Sequence, residues 1–149
     1  MAEYDVIDEA IINAKPDVVY EALLAEYAGK TNWWMPLLEA KLREGNAPDE
    51  LGALLEVSVH GKTPTKFIMK TIETKKNELW RLQYMEGPLR GEGEWKLEAI
   101  NDDTKVSYHL HAHPSGLLVR IVANFINMPK SHSKTWKAGY AALNKHVQK

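Results

Sequence analysis

A chain of 149 residues with 44% hydrophobic and 26% charged residues suits one domain around a single core, and argues against disorder or a fibrous repeat. The absence of cysteine excludes a disulfide framework, a thiolate nucleophile, a thiolate metal ligand and a dithiol redox pair. The net charge of −1 gives no global bias toward nucleic acid, and DNA is not an expected partner.

That net charge hides an asymmetry. No acidic residue follows Asp103, so the last 46 residues carry +7 and the first 103 carry −8. Lys130, Lys134, Lys137 and Lys145 fall opposite the apolar positions of a C-terminal helix, and a basic outer face of this kind suits an anionic surface. A solvated helix face balanced by acids on neighbouring strands accounts for the same pattern. No run of about 18 apolar residues occurs, Arg120 and Asn124 interrupting the richest stretch, so no transmembrane segment is expected. Met1 to Asp5 lacks the basic region and apolar core of a secretory signal, which predicts a cytoplasmic protein.

Val6 to Ile12 reads as a first strand. Pro16 followed by Asp17 is a helix start, because proline tolerates the first turn and a carboxylate favours the positive helix end. Val19, Tyr20, Leu23 and Tyr27 then mark one face of a short helix that Gly29 ends. Next come Trp33 and Trp34 before Met35 and Pro36. Adjacent residues of an extended chain do not share a direction, so at least one tryptophan is expected to cover an opening rather than fill the core.

From Leu38 the period changes to two. Leu38, Ala40 and Leu42 alternate with charged residues, and Leu55, Val57 and Val59 do the same after a turn at Gly45 to Glu50. Thr65 to Thr74 is a strand whose inner face the sequence leaves open, with Phe67 and Met69 on one side and Ile68 and Ile72 on the other. Trp80, Leu82 and Tyr84 follow, then Gly91, Gly93, Trp95, Leu97 and Ala99, then Val106, Tyr108 and Leu110. Pro114 to Gly116 breaks the pattern. Loops this short join antiparallel neighbours, not parallel crossovers. Leu117 to Val147 reads as a long helix, with Leu118, Ile121, Phe125, Met128, Trp136, Tyr140, Leu143 and Val147 on one face. Pro129 kinks or restarts it.

Strand, one or two short helices, about six meandering strands and a long final helix resemble the START-like (SRPBCC, Bet v 1-like) helix-grip superfamily, and within it the polyketide cyclase/dehydrase and lipid-transport-like sequences. The resemblance is carried by Ile11 to Tyr20, Trp34 to Pro36, Leu51 to Ala53, Gly87 to Leu97 and Thr104 to Tyr108, and it spans essentially the whole chain. It implies an α+β fold in which a seven-stranded antiparallel sheet wraps the C-terminal helix, residues 1–149 forming one ligand-binding domain. It further implies an apolar cavity between sheet and helix for a lipid-like, polyketide or quinone-like molecule.

The expected lining is Trp33, Trp34, Phe67, Met69, Trp80, Leu82, Tyr84, Trp95, Tyr108, Phe125, Met128, His132, Trp136 and Tyr140. Trp33 and Trp34 would stand near the entrance, and Gly91, Gly93 and Gly139 would line the space without filling it. An ordinary packed core whose tyrosines find hydrogen bonds is the competing reading. His132 is the one catalytic candidate, on an apolar stripe and able to orient a carbonyl or move a proton near neutrality. A histidine satisfied by a hydrogen bond, or turned to solvent by the Pro129 kink, is the plainer reading, and no carboxylate lies near it in sequence. His109, His111 and His113 share one strand face, about 6.6 Å per step, but that face is opposite the aromatic one, so no metal site is assigned. No phosphate loop, HExxH, GxSxG or dinucleotide motif occurs, and no cofactor is expected. Three functions fit: a binder or carrier of a hydrophobic small molecule, a cyclase or dehydratase acting on a polyketide-like chain, and a protein or ribonucleoprotein interaction module using the basic helix.

Overall fold

The computed structural model describes residues 4–60, 64–115 and 128–148. Its strands are β1 (Tyr4–Ile12), β2 (Leu38–Glu44), β3 (Leu54–Val59), β4 (Thr65–Lys75), β5 (Leu79–Glu86), β6 (Leu89–Ile100) and β7 (Asp103–Pro114). Helix α1 (Pro16–Tyr27) follows β1, and α2 (Met128–Val147) is the last element described. The expectations for Leu118, Ile121 and Phe125 lie outside the described residues, as does what Pro129 does to the chain before it. No described helix is long and apolar enough to cross a membrane.

All seven strands form one antiparallel sheet in the order β1-β7-β6-β5-β4-β3-β2. The meander from β2 to β7 explains this order, since each short connection returns the chain beside the strand it has left. β1 closes on β7 from the far end of the sequence, and α2 packs against β1 and α1. The exposed face of α2 carries Lys130, Lys134, Lys137 and Lys145, opposite buried Trp136, Tyr140 and Leu143.

Three local features set the inner face. Pro16 occupies the first turn of α1, and Gly29 at φ +79° lets Lys30 N–H reach Ala25 O, closing the helix end. Register shifts between Ile68 and Met69 and between Thr71 and Glu73 interrupt β4, so Phe67, Ile68 and Met69 are all buried; a bulge breaks the alternation that otherwise decides facing. In β1 the inward phase is Tyr4, Val6, Asp8, Ala10 and Ile12, while Ile7 and Ile11 point outward and are 59% and 49% exposed. Apolar content favours this phase, which holds Tyr4, Val6, Ala10 and Ile12 against Ile7 and Ile11 with acidic Asp5 and Glu9 in the other.

The outer face of the sheet carries ionic pairs. Arg81 meets Glu73, Glu92 and Glu94, and Glu94, which the alternation places on a solvated face, is only 12% exposed beneath Arg81 and Lys96. His109 lies on this face beside Asp5 and stacks with His111.

Candidate functional site

The inner face of the sheet presents a cross-strand row of Asp8, Tyr108, Trp95 and Trp80, set by the pairings Asp8↔Tyr108, Tyr108↔Trp95 and Trp95↔Trp80. Above it, α2 brings His132, Trp136 and Tyr140. Trp136 lies 5.1 Å from Trp34, 4.8 Å from Tyr108 and 3.9 Å from His132 between ring centroids, the last pair nearly parallel at 13°. Phe67 meets Tyr84 edge-on at 5.5 Å, and the Tyr84 and Tyr108 hydroxyls share a hydrogen bond of 2.6 Å. Burial pushes both phenols well above their ordinary pKa. They are therefore neutral hydrogen-bonding groups across the physiological range.

Of the residues expected to line a cavity, Phe67, Tyr84, Trp95, Tyr108, His132, Trp136, Tyr140, Trp34 and Trp33 form one continuous run of ring contacts. Met69 and Leu82 are buried in the same sheet face. Trp80 serves the core beneath α1: it packs edge-on to Tyr27 at 4.9 Å and donates its indole N–H to Thr71 Oγ1. Phe125 lies outside the described residues, as does the side chain of Met128.

The glycines overturn one expectation. Gly91, Gly93 and Gly139 do not leave open space. A Cβ at Gly93 would lie on the Tyr108 ring and hydroxyl, one at Gly139 would meet the Trp34 indole at 2.3 Å, and one at Gly91 would collide with the β7 backbone at His111 and Ala112. Glycine here admits neighbouring rings and backbone, which is the other use of a missing side chain. Tyr108 leans over Gly93 to reach Tyr84; Trp34 lies against the helix at Gly139.

The two tryptophans also differ from expectation. Trp33 and Trp34 stack within 9° of parallel at 5.5 Å, because residues 33–37 form turns and the alternation of an extended chain does not apply. Trp34 is 2% exposed and donates to Thr135 O, while partly buried Trp33 covers it. Buried Glu26 holds the pair in place: its carboxylate accepts Trp33 N–H at 3.1 Å, Trp34 N–H at 2.9 Å and the Thr31 hydroxyl at 2.6 Å. Glu26 was legible as a carboxylate within the Val19, Leu23 and Tyr27 stripe.

His132 has a partner that no sequence neighbour announced. Its Nδ1 lies 3.0 Å from Asp8 Oδ2, with the two side chains 8% and 14% exposed. Burial pushes the Asp8 carboxyl up, but hydrogen bonds from His132 and Ser133 and the charge of His132 together hold it below its ordinary value. Asp8 is thus an acceptor near neutrality, and wherever the imidazole is neutral this contact holds its proton on Nδ1. The Asp8 carbonyl takes the Tyr140 hydroxyl at 2.6 Å. On its other side Asp8 borders an open groove of about 410 Å³ between β1 and α2, where Lys137 and Asn144 also lie. His132 Nε2 and Trp136 Nε1 are buried and have no hydrogen-bond partner among the described residues.

No family model matches the chain, and no curated protein sequence matches it. Solved structures do. The allergen Ara h 8.0201 superposes with a TM-score of 0.71 at 14% identity over 99% of each chain. This chain has the Bet v 1-like helix-grip fold. The Zhui aromatase/cyclase of Streptomyces sp. R1128 shares the helix-grip fold at TM-score 0.74 and 13% identity, over 99% of this chain and 94% of that one. Ginseng major latex-like protein 151 from Panax ginseng matches at 0.71 and 9%, over 97% of each. At such identities the fold is what is shared.

Proposed function

We propose that this helix-grip domain, acting in the cytoplasm, binds or carries a hydrophobic small molecule against the aromatic face between sheet and α2. One observation carries the reading: rings from β4, β5, β6, β7, the turn at 33–37 and α2 converge on one face with few polar groups, the composition of most small-molecule sites. The Zhui structure, named as an aromatase/cyclase, shows the same fold in a polyketide enzyme, which supports a flat or chain-like apolar occupant. The expected lining is the ring run together with Met69 and Leu82. Native mass spectrometry of the purified protein, followed by solvent extraction, tests it. A discrete apolar adduct released on denaturation is the expected result. A bare chain mass, with no adduct after incubation with palmitate, a naphthoquinone or a flavonol, would sink the reading.

The Asp8–His132 pair favours a second reading, proton transfer on the bound molecule, since a carboxylate-held imidazole is the arrangement of a general base. Under it, His132→Ala abolishes turnover of a polyketide-like substrate while leaving its affinity nearly intact; intact turnover counts against it.

A further inference from the structure

We infer that His132 and Trp136 form the polar anchor of the site and select an apolar ligand bearing a hydroxyl group, an inference that rests on the binding function proposed above. Buried polar atoms in folded proteins are almost always paired, and an unpaired one needs an explanation. Here two stand on stacked rings whose centroids are 3.9 Å apart, His132 Nε2 and Trp136 Nε1. They are complementary in kind. When the imidazole is neutral, its Nδ1–H donates to Asp8 Oδ2, which leaves Nε2 an acceptor. The indole N–H is a donor only. A hydroxyl supplies what each lacks: its proton goes to Nε2 and its oxygen accepts from Nε1–H.

The surroundings narrow the ligand further. His132 stacks on Tyr108 and Trp136, and Trp136 in turn packs against Trp34 and Trp95, so the body of the ligand is apolar; Trp95 Nε1, also buried and unpaired, is a further donor within the same rings. The Tyr84 and Tyr108 hydroxyls are already committed to each other and the Tyr140 hydroxyl to Asp8 O, so the phenols do not compete for the ligand oxygen. A carboxylate is disfavoured against a neutral imidazole, because Nε2 then faces an acceptor with an acceptor. Asp8 is a positioning residue: it touches no ligand and acts by fixing the tautomer of His132.

The test compares 1-naphthol, 1-naphthalenemethanol and 1-methoxynaphthalene by NMR titration of the ¹⁵N-labelled protein at about pH 8, where an ordinary imidazole is neutral. All three share the ring system, and only the first two carry a hydroxyl. The expected result is binding of the hydroxyl compounds about tenfold more tightly than the ether, the usual effect of one hydrogen bond to a well-held partner. The His132 Nε2 and Trp136 Nε1–H resonances should move with the hydroxyl compounds and not with the ether. Binding of both hydroxyl compounds makes any alcohol a suitable ligand; preference for 1-naphthol restricts the class to acidic, phenol-like hydroxyls. His132→Phe keeps a ring on Trp136 and should erase the preference while retaining the ether, and Asp8→Asn should weaken it. Equal affinity for all three, with both nitrogen resonances unmoved, overturns the anchor and leaves the apolar site standing. Failure of all three to bind overturns the apolar site and the anchor with it.

Discussion

At the scale of single residues, the chemistry of this protein lies in polar groups set into apolar surroundings. Asp8 occupies an inward position of β1 where a strand would ordinarily place valine or isoleucine, and its partner is 124 residues away in α2. His132 is conspicuous in the sequence, on an otherwise apolar helix stripe; Asp8 shares the phase of Tyr4, Val6, Ala10 and Ile12, and what the sequence does not show is that the two meet. The pairing of β1 with β7 sets Asp8 opposite Tyr108. Glu26 shows the same logic with a clearer signature, a carboxylate between Leu23 and Tyr27 that caps backbone amides which would otherwise be buried and unpaired. The depressed pKa of Asp8 makes a testable link to stability. Its folded value lies below the unfolded one of about 3.9. The stabilisation is therefore fully present above the unfolded value and lost as pH falls through the folded one. Urea denaturation at a series of acidic pH values should show wild-type stability falling below about pH 4, with Asp8→Asn less steep by up to one proton. Coincident slopes would mean that the carboxylate is not held ionised by His132.

At the scale of elements, α2 is held on the sheet by a few close approaches rather than by a wide smooth contact. Tyr140 reaches the Asp8 carbonyl, and Asn144 Oδ1 accepts the Asn13 N–H at 2.8 Å just beyond the end of β1. Trp34 lies against the helix backbone at Gly139. The sequence places Gly139 on the apolar stripe, where the sheet or a bound molecule is expected to come close; the neighbour is instead an indole from a turn about a hundred residues earlier. Gly139→Ala is a sensitive probe of this contact. The new Cβ would fall 2.3 to 2.6 Å from three Trp34 ring atoms, too close for any rotamer of a stacked ring to absorb without displacing Trp33. Alanine is the better helix former by about 1 kcal/mol, so a bare helix would gain from the change. Overpacking typically costs about 1–3 kcal/mol, and the net effect should be destabilising, with loss of near-ultraviolet circular dichroism from the tryptophan stack. A stabilised variant with an unchanged aromatic spectrum would show that Trp34 does not bear on the helix.

At the scale of the whole molecule, the antiparallel meander and the helix that follows it were legible because period-two alternation, turn residues and short loops all point the same way. Trp80 to Tyr84, Gly93 to Leu97 and Val106 to Leu110 each lie on the face the alternation assigned, while Ala99 at the end of β6 is exposed. The sequence could not reveal which side chains occupy the space between sheet and helix, since glycines read as gaps are filled by rings from distant segments. That interior also determines how binding would register. Trp34, Trp95 and Trp136 belong to the ring run that joins the 33–37 turn, β6, β7 and α2. A ligand seated there contacts every layer and should stabilise the domain as a unit. At about 100 times its dissociation constant it adds about 2.7 kcal/mol, and in a chain of this length each kcal/mol raises Tm by about 2–4 °C. The expected rise of about 5–10 °C should appear in one transition, seen alike by backbone circular dichroism and tryptophan fluorescence. The compound to use is whichever of palmitate, the naphthoquinone and the flavonol gives an adduct in native mass spectrometry. A ligand in the open groove between β1 and α2 would raise Tm while leaving tryptophan emission of the folded state unchanged, because none of the groove's walls is a tryptophan. That outcome would move the site from the interior of the grip to its edge.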